Sequence, residues 1–273
     1  MRQSFAIAGP FGELSGVINI CEAEANRRKV LVMAHGFRGS MEGGGRAAEL
    51  ADEIGESICS VVRFNFSWCT MLSNQIAELK CILDYVRNTL QPEKLFLLGR
   101  SFGGATCIVT ACGDMDASCE SAGKVTVPGG NSSATGWFER KTYRPDGMVL
   151  WSAPNSLKST FVQVLGEEAF QAAMQGKTVV MDDERGHDEI PAAFVADLLK
   201  YNIAALLKRW KNGPLLIIHG EKDCIVSPDQ AQENYDLAGG EKQLHYMEGE
   251  NHHLDLRFQE AGGLVKRWLK ENI

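Results

Sequence analysis

Apolar, strand-like runs alternate with helix-like segments along most of the chain, which predicts an α/β protein: a predominantly parallel sheet covered by helices on both faces. Two stretches carry this expectation. Residues 29–34 (K-V-L-V-M-A) are nearly all apolar, with no polar alternation, as in a strand buried on both sides. Residues 95–98 (L-F-L-L) run straight into Gly99-Arg100-Ser101-Phe102-Gly103-Gly104 and a small-residue segment, the pattern of a strand turning sharply into a helix that lies close to the sheet.

The elements follow in order. Residues 5–7 and 14–20, divided by Gly9-Pro10 and Gly12, read as a short strand pair. After the 29–34 strand, residues 43–57 place Ala47, Leu50, Ala51 and Ile54 at helical spacing. Residues 60–64 form a strand, and 71–89 a helix with Ile76, Leu79, Ile82, Leu83 and Val86 on one face. The strand at 95–98 leads into a helix over 102–112. Strands follow at 148–151, 215–218 and 244–247, and residues 264–269 lie in a closing helix.

Two stretches break the rhythm. Residues 113–145, rich in Gly, Ser and Thr, have no period and read as a long surface excursion with a small hairpin near 125–127. Residues 155–210 hold helical patterns over 160–175 and 192–210, separated by a charged segment at 182–188. The expected organisation is therefore a core of residues 1–154 and 211–273 with a helical cap at 155–210. The apolar cap positions Phe161, Val164, Leu165, Phe170, Phe194, Leu198 and Leu199 either pack onto the core or line an acyl or aromatic pocket.

Composition narrows the function. A chain of 273 residues with 44% hydrophobic and 23% charged residues is an ordinary soluble composition. The net charge of −7 and the short basic clusters, Arg27-Arg28-Lys29 and Lys208-Arg209, argue against nucleic-acid binding. The N-terminal M-R-Q-S-F-A-I-A-G-P lacks a signal-peptide core, and no run reaches the ~18 apolar residues of a membrane span. Eight cysteines without C-x-x-C spacing, in a chain too large to need staples, read as free thiols in a reducing cytoplasm, with Cys112 and Cys119 the exceptions to watch. Spacing offers no zinc motif, redox pair or phosphate-binding G-x-x-x-x-G-K-[ST], so no metal or cofactor is expected. The crowded Asp182, Asp183, His187, Asp188 and Glu189 read as a solvated face rather than a metal cluster.

The chemistry centres on Ser101. A serine hydroxyl needs a base to take its proton and a third group to orient that base. In open α/β sheets such groups gather at the carboxyl ends of strands. Ser101 follows the 95–98 strand, Asp223 follows P-L-L-I-I-H-G-E-K-D, and His252 or His253 follows the 244–247 strand in G-E-N-H-H-L-D. The order Ser, Asp, His is the one expected of this architecture. The N–H of Phe102 at the helix start, paired with that of Phe37 in H-G-F-R-G-S, is the candidate oxyanion hole. His35 and His219 read as structural, Asp255 as a poorer acid in the first turn of the last helix, and Trp68 as either a wall of the substrate mouth or a packed surface aromatic.

These motifs resemble the α/β-hydrolase superfamily over nearly the whole chain, and within it the carboxylesterase and feruloyl (cinnamoyl) esterase type. The shared features are an H-G-F-x-G turn, a G-x-S-x-G-G elbow, a helical cap after the sixth strand, an H-G-x-x-D loop and a late G-x-x-H. The resemblance implies an eight-stranded sheet, with Ser101 as nucleophile, Asp223 as acid and His252, three residues after Gly249, as base. It implies a cytoplasmic hydrolase of small acyl or aromatic esters acting through a covalent acyl-enzyme, with no cofactor. Thioesterase, amidase, peptidase or C–C bond hydrolase chemistry remains open on the same scaffold, as does a non-catalytic binding protein. The chain departs from the pattern in F-N-F-S-W-C at 64–69, where a Gly-rich turn is usual, and in the length of the 113–145 excursion.

Overall fold

The computed structural model describes residues 1–113, 143–211 and 213–273. Most of the 113–145 excursion, with the hairpin expected near 125–127 and Cys119, lies outside the described residues. An N-terminal hairpin, β1 (Arg2–Gly9) and β2 (Gly12–Asn19), pairs antiparallel and joins the sheet through β2 against β4. The buried runs then add in parallel: β3 (Lys29–Ala34), β4 (Ser60–Phe64), β5 (Lys94–Arg100) and β6 (Gly147–Trp151). Past the small hairpin of β7 (Val179–Asp183) and β8 (Gly186–Ile190), the sheet is completed by β9 (Leu215–Gly220) and β10 (Lys242–Met247). The eight strands lie in the order β1-β2-β4-β3-β5-β6-β9-β10.

Alternation along β3 shows why both faces need covering. Val30, Val32 and Ala34 point to one side, while Leu31 and Met33 point to the other. The second face is closed by α1 (Arg46–Ser57) and α9 (Phe258–Asn272), through Leu50, Ile54, Val265 and Trp268. The first receives α2 (Leu72–Leu90), whose Ile76, Leu79, Ile82, Leu83 and Val86 are buried, and α3 (Phe102–Cys112), which is buried along its length. Beyond the strands expected from sequence, α8 (Pro228–Leu237) fills the β9–β10 crossover, started by a Ser227 cap and a first-turn proline.

The segment between β6 and β9 divides its two helical patterns further. The 160–175 pattern is two helices, α4 (Leu157–Leu165) and α5 (Glu167–Met174), split at Gly166, whose φ of +83° cannot continue an α-helix. The 192–210 pattern divides likewise into α6 (Ala192–Leu198) and α7 (Ile203–Leu207). The charged segment between them is the β7–β8 hairpin, paired from Val179 with Ile190 to Asp183 with Gly186. Phe161, Phe170, Phe194 and Leu198 are buried against the core and Leu165 packs on it half-buried, whereas Val164 faces the cleft described below; Leu199, at the end of its short helix, is exposed and does neither. Asp255 sits in a turn before α9 rather than in its first turn. Among the described residues seven cysteines, Cys112 included, carry free thiols, and no helix is long and apolar enough to cross a membrane.

Candidate active site

Ser101 stands alone between β5 and α3 with φ +53° and ψ −124°, a conformation that side chains rarely adopt. Strain of roughly 1–3 kcal/mol at such a position persists only where the surroundings over-determine it. Two constraints do so here. The Ser101 N–H donates to the Trp151 carbonyl of the neighbouring strand at 2.8 Å. The chain also folds back so tightly that a Cβ on Gly99 would lie 2.5 Å from the Gly104 Cα, and one on Gly103 would lie 2.3 Å from the Ala34 carbonyl oxygen. Glycine at both points lets the hydroxyl stand clear at the carboxyl end of the sheet.

The loop after β10 brings His252 to this hydroxyl, with Nε2 2.9 Å from Ser101 Oγ. Its other ring nitrogen, Nδ1, lies 2.7 Å from Asp223 Oδ2 in the loop after β9. A carboxylate only accepts, so Nδ1 carries the proton and Nε2 is left to accept from the serine. Asp223 is itself pinned: Oδ1 accepts the N–H groups of Ile225 and Val226, each at 2.9 Å. Burial would raise the Asp223 carboxyl, but hydrogen bonds from His219 and His252, the His252 charge and the Val226 N–H outweigh it and hold the acid well below the usual carboxylate range. His219 thus supports the acid, with Nε2 2.8 Å from the Val226 carbonyl and 3.2 Å from Asp223 Oδ2.

The turn after β3 faces the same point. His35 Nδ1 donates to the Gly36 carbonyl at 2.9 Å, while Nε2 accepts the Phe66 N–H at 3.0 Å. Burial lowers its pKa, partly offset by the Gly36 carbonyl, so this imidazole is a neutral bracket. Phe37 follows, its ring packed on Phe102, Phe161 and Phe194 at centroid separations of 6.1, 5.3 and 5.2 Å. Among the described residues, the backbone N–H of neither Phe37 nor Phe102 has an acceptor. Arg38 comes next, with φ +51° and a buried guanidinium that reaches the β7–β8 hairpin. Asp183 and Asp188 are therefore partners of a buried arginine, not the freely solvated face that their crowding suggested. Trp68 belongs to the same contact: its indole N–H donates to Asp188 at 2.6 Å, and its ring lines the cleft.

Ser101 and His252 open into a cleft of about 950 Å³ whose lining includes the apolar Phe37, Val164 and Met181, the cationic Arg46, Arg100 and Arg185, and the acidic Asp183, Glu184 and Asp255. His253 points away from Ser101 toward Arg100 and Arg185. Arg100 and Arg185 escaped sequence reading because Arg100 fills a variable position of the elbow and Arg185 belongs to no motif.

A family model described as "Serine aminopeptidase, S33" matches residues 25–256, which span β3, the elbow, Asp223 and His252. The chain belongs to this family of α/β hydrolases. Solved structures of low identity share its whole fold. Est1E from Butyrivibrio proteoclasticus, also solved with ferulic acid bound, is 14% identical to it in the form without that ligand, with a TM-score of 0.71 and 98% of each chain covered. An esterase domain from a Rhodothermus marinus protein is 15% identical, with a TM-score of 0.67 and 99% of this chain and 98% of that one covered. A hydrolase from Agrobacterium vitis S4, described as putative, is 16% identical, with a TM-score of 0.71 and 98% and 99% covered. No curated protein sequence matches the chain.

Proposed function

We propose that this α/β hydrolase cleaves carboxylic esters of small acyl or aromatic acids through a covalent acyl-enzyme on Ser101. The observation that carries the proposal is the continuous hydrogen-bonded line from Ser101 Oγ through His252 to Asp223. His252 Nε2 takes the hydroxyl proton as Oγ attacks the ester carbonyl, while Asp223 holds the Nδ1–H tautomer and stabilises the imidazolium. The N–H groups of Phe37 and Phe102 receive the developing oxyanion. The imidazolium gives its proton to the leaving alcohol. Water, deprotonated in turn by His252, then attacks the acyl-enzyme and releases the acid. The residues 155–210 act as the cap of the 1–154 and 211–273 core, supplying the apolar wall at Val164 and Met181. The esterase domain of like fold, and the ferulic acid bound to Est1E, support ester over other acyl chemistry.

A second reading, an amide or peptide bond as the substrate, is favoured by the description of the matching family. Aryl esters and aminoacyl arylamides assayed side by side separate the two. Ser101→Ala and His252→Ala are expected to remain folded and lose ester turnover by about 10³-fold or more, whereas His253→Ala stays within about tenfold of the parent. A fluorophosphonate probe is expected to label Ser101. A folded Ser101→Ala variant with undiminished turnover refutes the proposal.

A further inference from the structure

The cationic wall of the cleft has donors to spare. His253 is held between two guanidinium groups: Arg100 Nη2 lies 3.1 Å from its Nδ1, and Arg185 Nη2 lies 3.2 Å from its Nε2. Arginine only donates, and a neutral imidazole has a single accepting nitrogen, so at most one of these contacts is a hydrogen bond. Arg100 also reaches the His253 carbonyl at 3.4 Å. Arg185, exposed on the turn of the hairpin, has this shared imidazole as its one side-chain contact among the described residues.

Both guanidinium groups also stand outside the ion pairs of the cleft. Elsewhere in the cleft Arg38 is matched by Asp183 and Asp188, and Arg46 by Asp255. Among the described residues, neither Arg100 nor Arg185 has a carboxylate within 4 Å, and the buried Arg100 Nε has no acceptor. Glu184 stands exposed on the same turn without closing on Arg185. Burial, with the charges of Arg46 and Arg185, brings Arg100 down to about 10; burial, with those of Arg100, His252 and Arg185, brings His253 down to about 4.

We propose that this wall binds an anionic oxyacid group of the substrate, a carboxylate or a phosphate remote from the scissile bond, with Arg185 as the specificity-determining contact. The inference rests on Ser101 being the nucleophile, since it names the substrate class of that site. The bound anion accepts from Arg185 and compensates the cation pair, while the apolar wall at Phe37, Val164 and Met181 takes the uncharged part. The same wall opposes the ammonium group of an aminopeptidase substrate.

Two matched pairs of esters test this: 4-nitrophenyl hemisuccinate against 4-nitrophenyl butyrate, and 4-carboxyphenyl butyrate against its neutral 4-carbamoylphenyl analogue. The expected result is an anionic-to-neutral ratio of kcat/KM of at least about tenfold in one pair, corrected for uncatalysed hydrolysis, falling about tenfold or more in Arg185→Gln and partly restored in Arg185→Lys. Succinate and inorganic phosphate read the site without turnover, and identify which oxyacid fits: one of them raises Tm in the parent and not in Arg185→Gln. Hydrolysis without anionic preference, or an equal loss on both members of a pair in Arg185→Gln, overturns the inference and leaves the esterase reading standing. An Arg185-dependent rise in Tm with no hydrolysis of any ester overturns the esterase reading and supports the anion site; absence of both overturns the two together.

Discussion

Arg38 Nε lies 2.6 Å from Asp188 Oδ2, so the residue after Phe37 is tied directly to the hairpin inserted between β6 and β9. The guanidinium, with its side chain 1% exposed, also meets Asp183 at 2.7 Å and the Gly186 carbonyl at 3.2 Å. One side chain thus grips both the turn that carries the Phe37 N–H and the wall that carries Arg185.

Loosening that grip is expected to lower turnover more than affinity. Arg38→Ala frees the turn, and the loss is bounded by removal of one oxyanion donor, about 10²–10³ in kcat. Asp188→Asn is expected to destabilise by at most about 3 kcal/mol, the lower end for a broken buried pair, because the Asp188 side chain is 13% exposed. Asp183→Asn is expected to cost less, since the Asp183 side chain is 46% exposed and screened by solvent. Urea denaturation read alongside kcat and KM checks both the order and the split.

Acid sensitivity is expected to track Asp223. Its folded pKa is held below the ordinary carboxylate value, so the stability it contributes is fully present above about pH 4 and is lost as the pH falls through the depressed folded value. Asp223→Asn removes that contribution. Its Tm is expected to lie below the parent's at pH 7, with the gap narrowing in strong acid. A gap that widens on acidification contradicts the assignment.

The thiols are expected to divide by burial. Burial raises Cys107, and with the nearby Cys21 it pushes Cys59 up to about 12, so neither offers a thiolate to an alkylating reagent in the native state. Cys224, next to Asp223, is exposed. Mass spectrometry after brief native alkylation is expected to find Cys224 modified, with Cys59 and Cys107 untouched until the chain is denatured.

The sheet was readable because its strands are buried on both faces and therefore nearly uniform in character: residues 60–64 and 102–112 coincide with β4 and α3. The elbow was readable because close approach leaves only glycine around Ser101. The β7–β8 hairpin was not. Of its ten residues only Val179 and Ile190 are buried, so the alternation that signals a strand is absent, and the turn at Glu184-Arg185-Gly186 stands without an apolar frame. Its role depends on contacts such as Arg38 with Asp183, 145 positions apart, which no local pattern encodes. Between the neighbours His252 and His253, only the spacing from Gly249 in the resembled motif favoured His252; the structure adds the direction of each ring, one toward Ser101 and the other between two arginines.

The hydrogen bond between Ser101 and His252 joins positions 151 apart, and His252 arrives on the loop that follows the edge strand β10. During synthesis the elbow can form once β5 and α3 have emerged, yet its hydroxyl has no base until β10 docks beside β9. On the proposed mechanism a growing or truncated chain carries an inert serine. Labelling of Ser101 by an activity probe is then expected to report the docking of the last strand of the sheet.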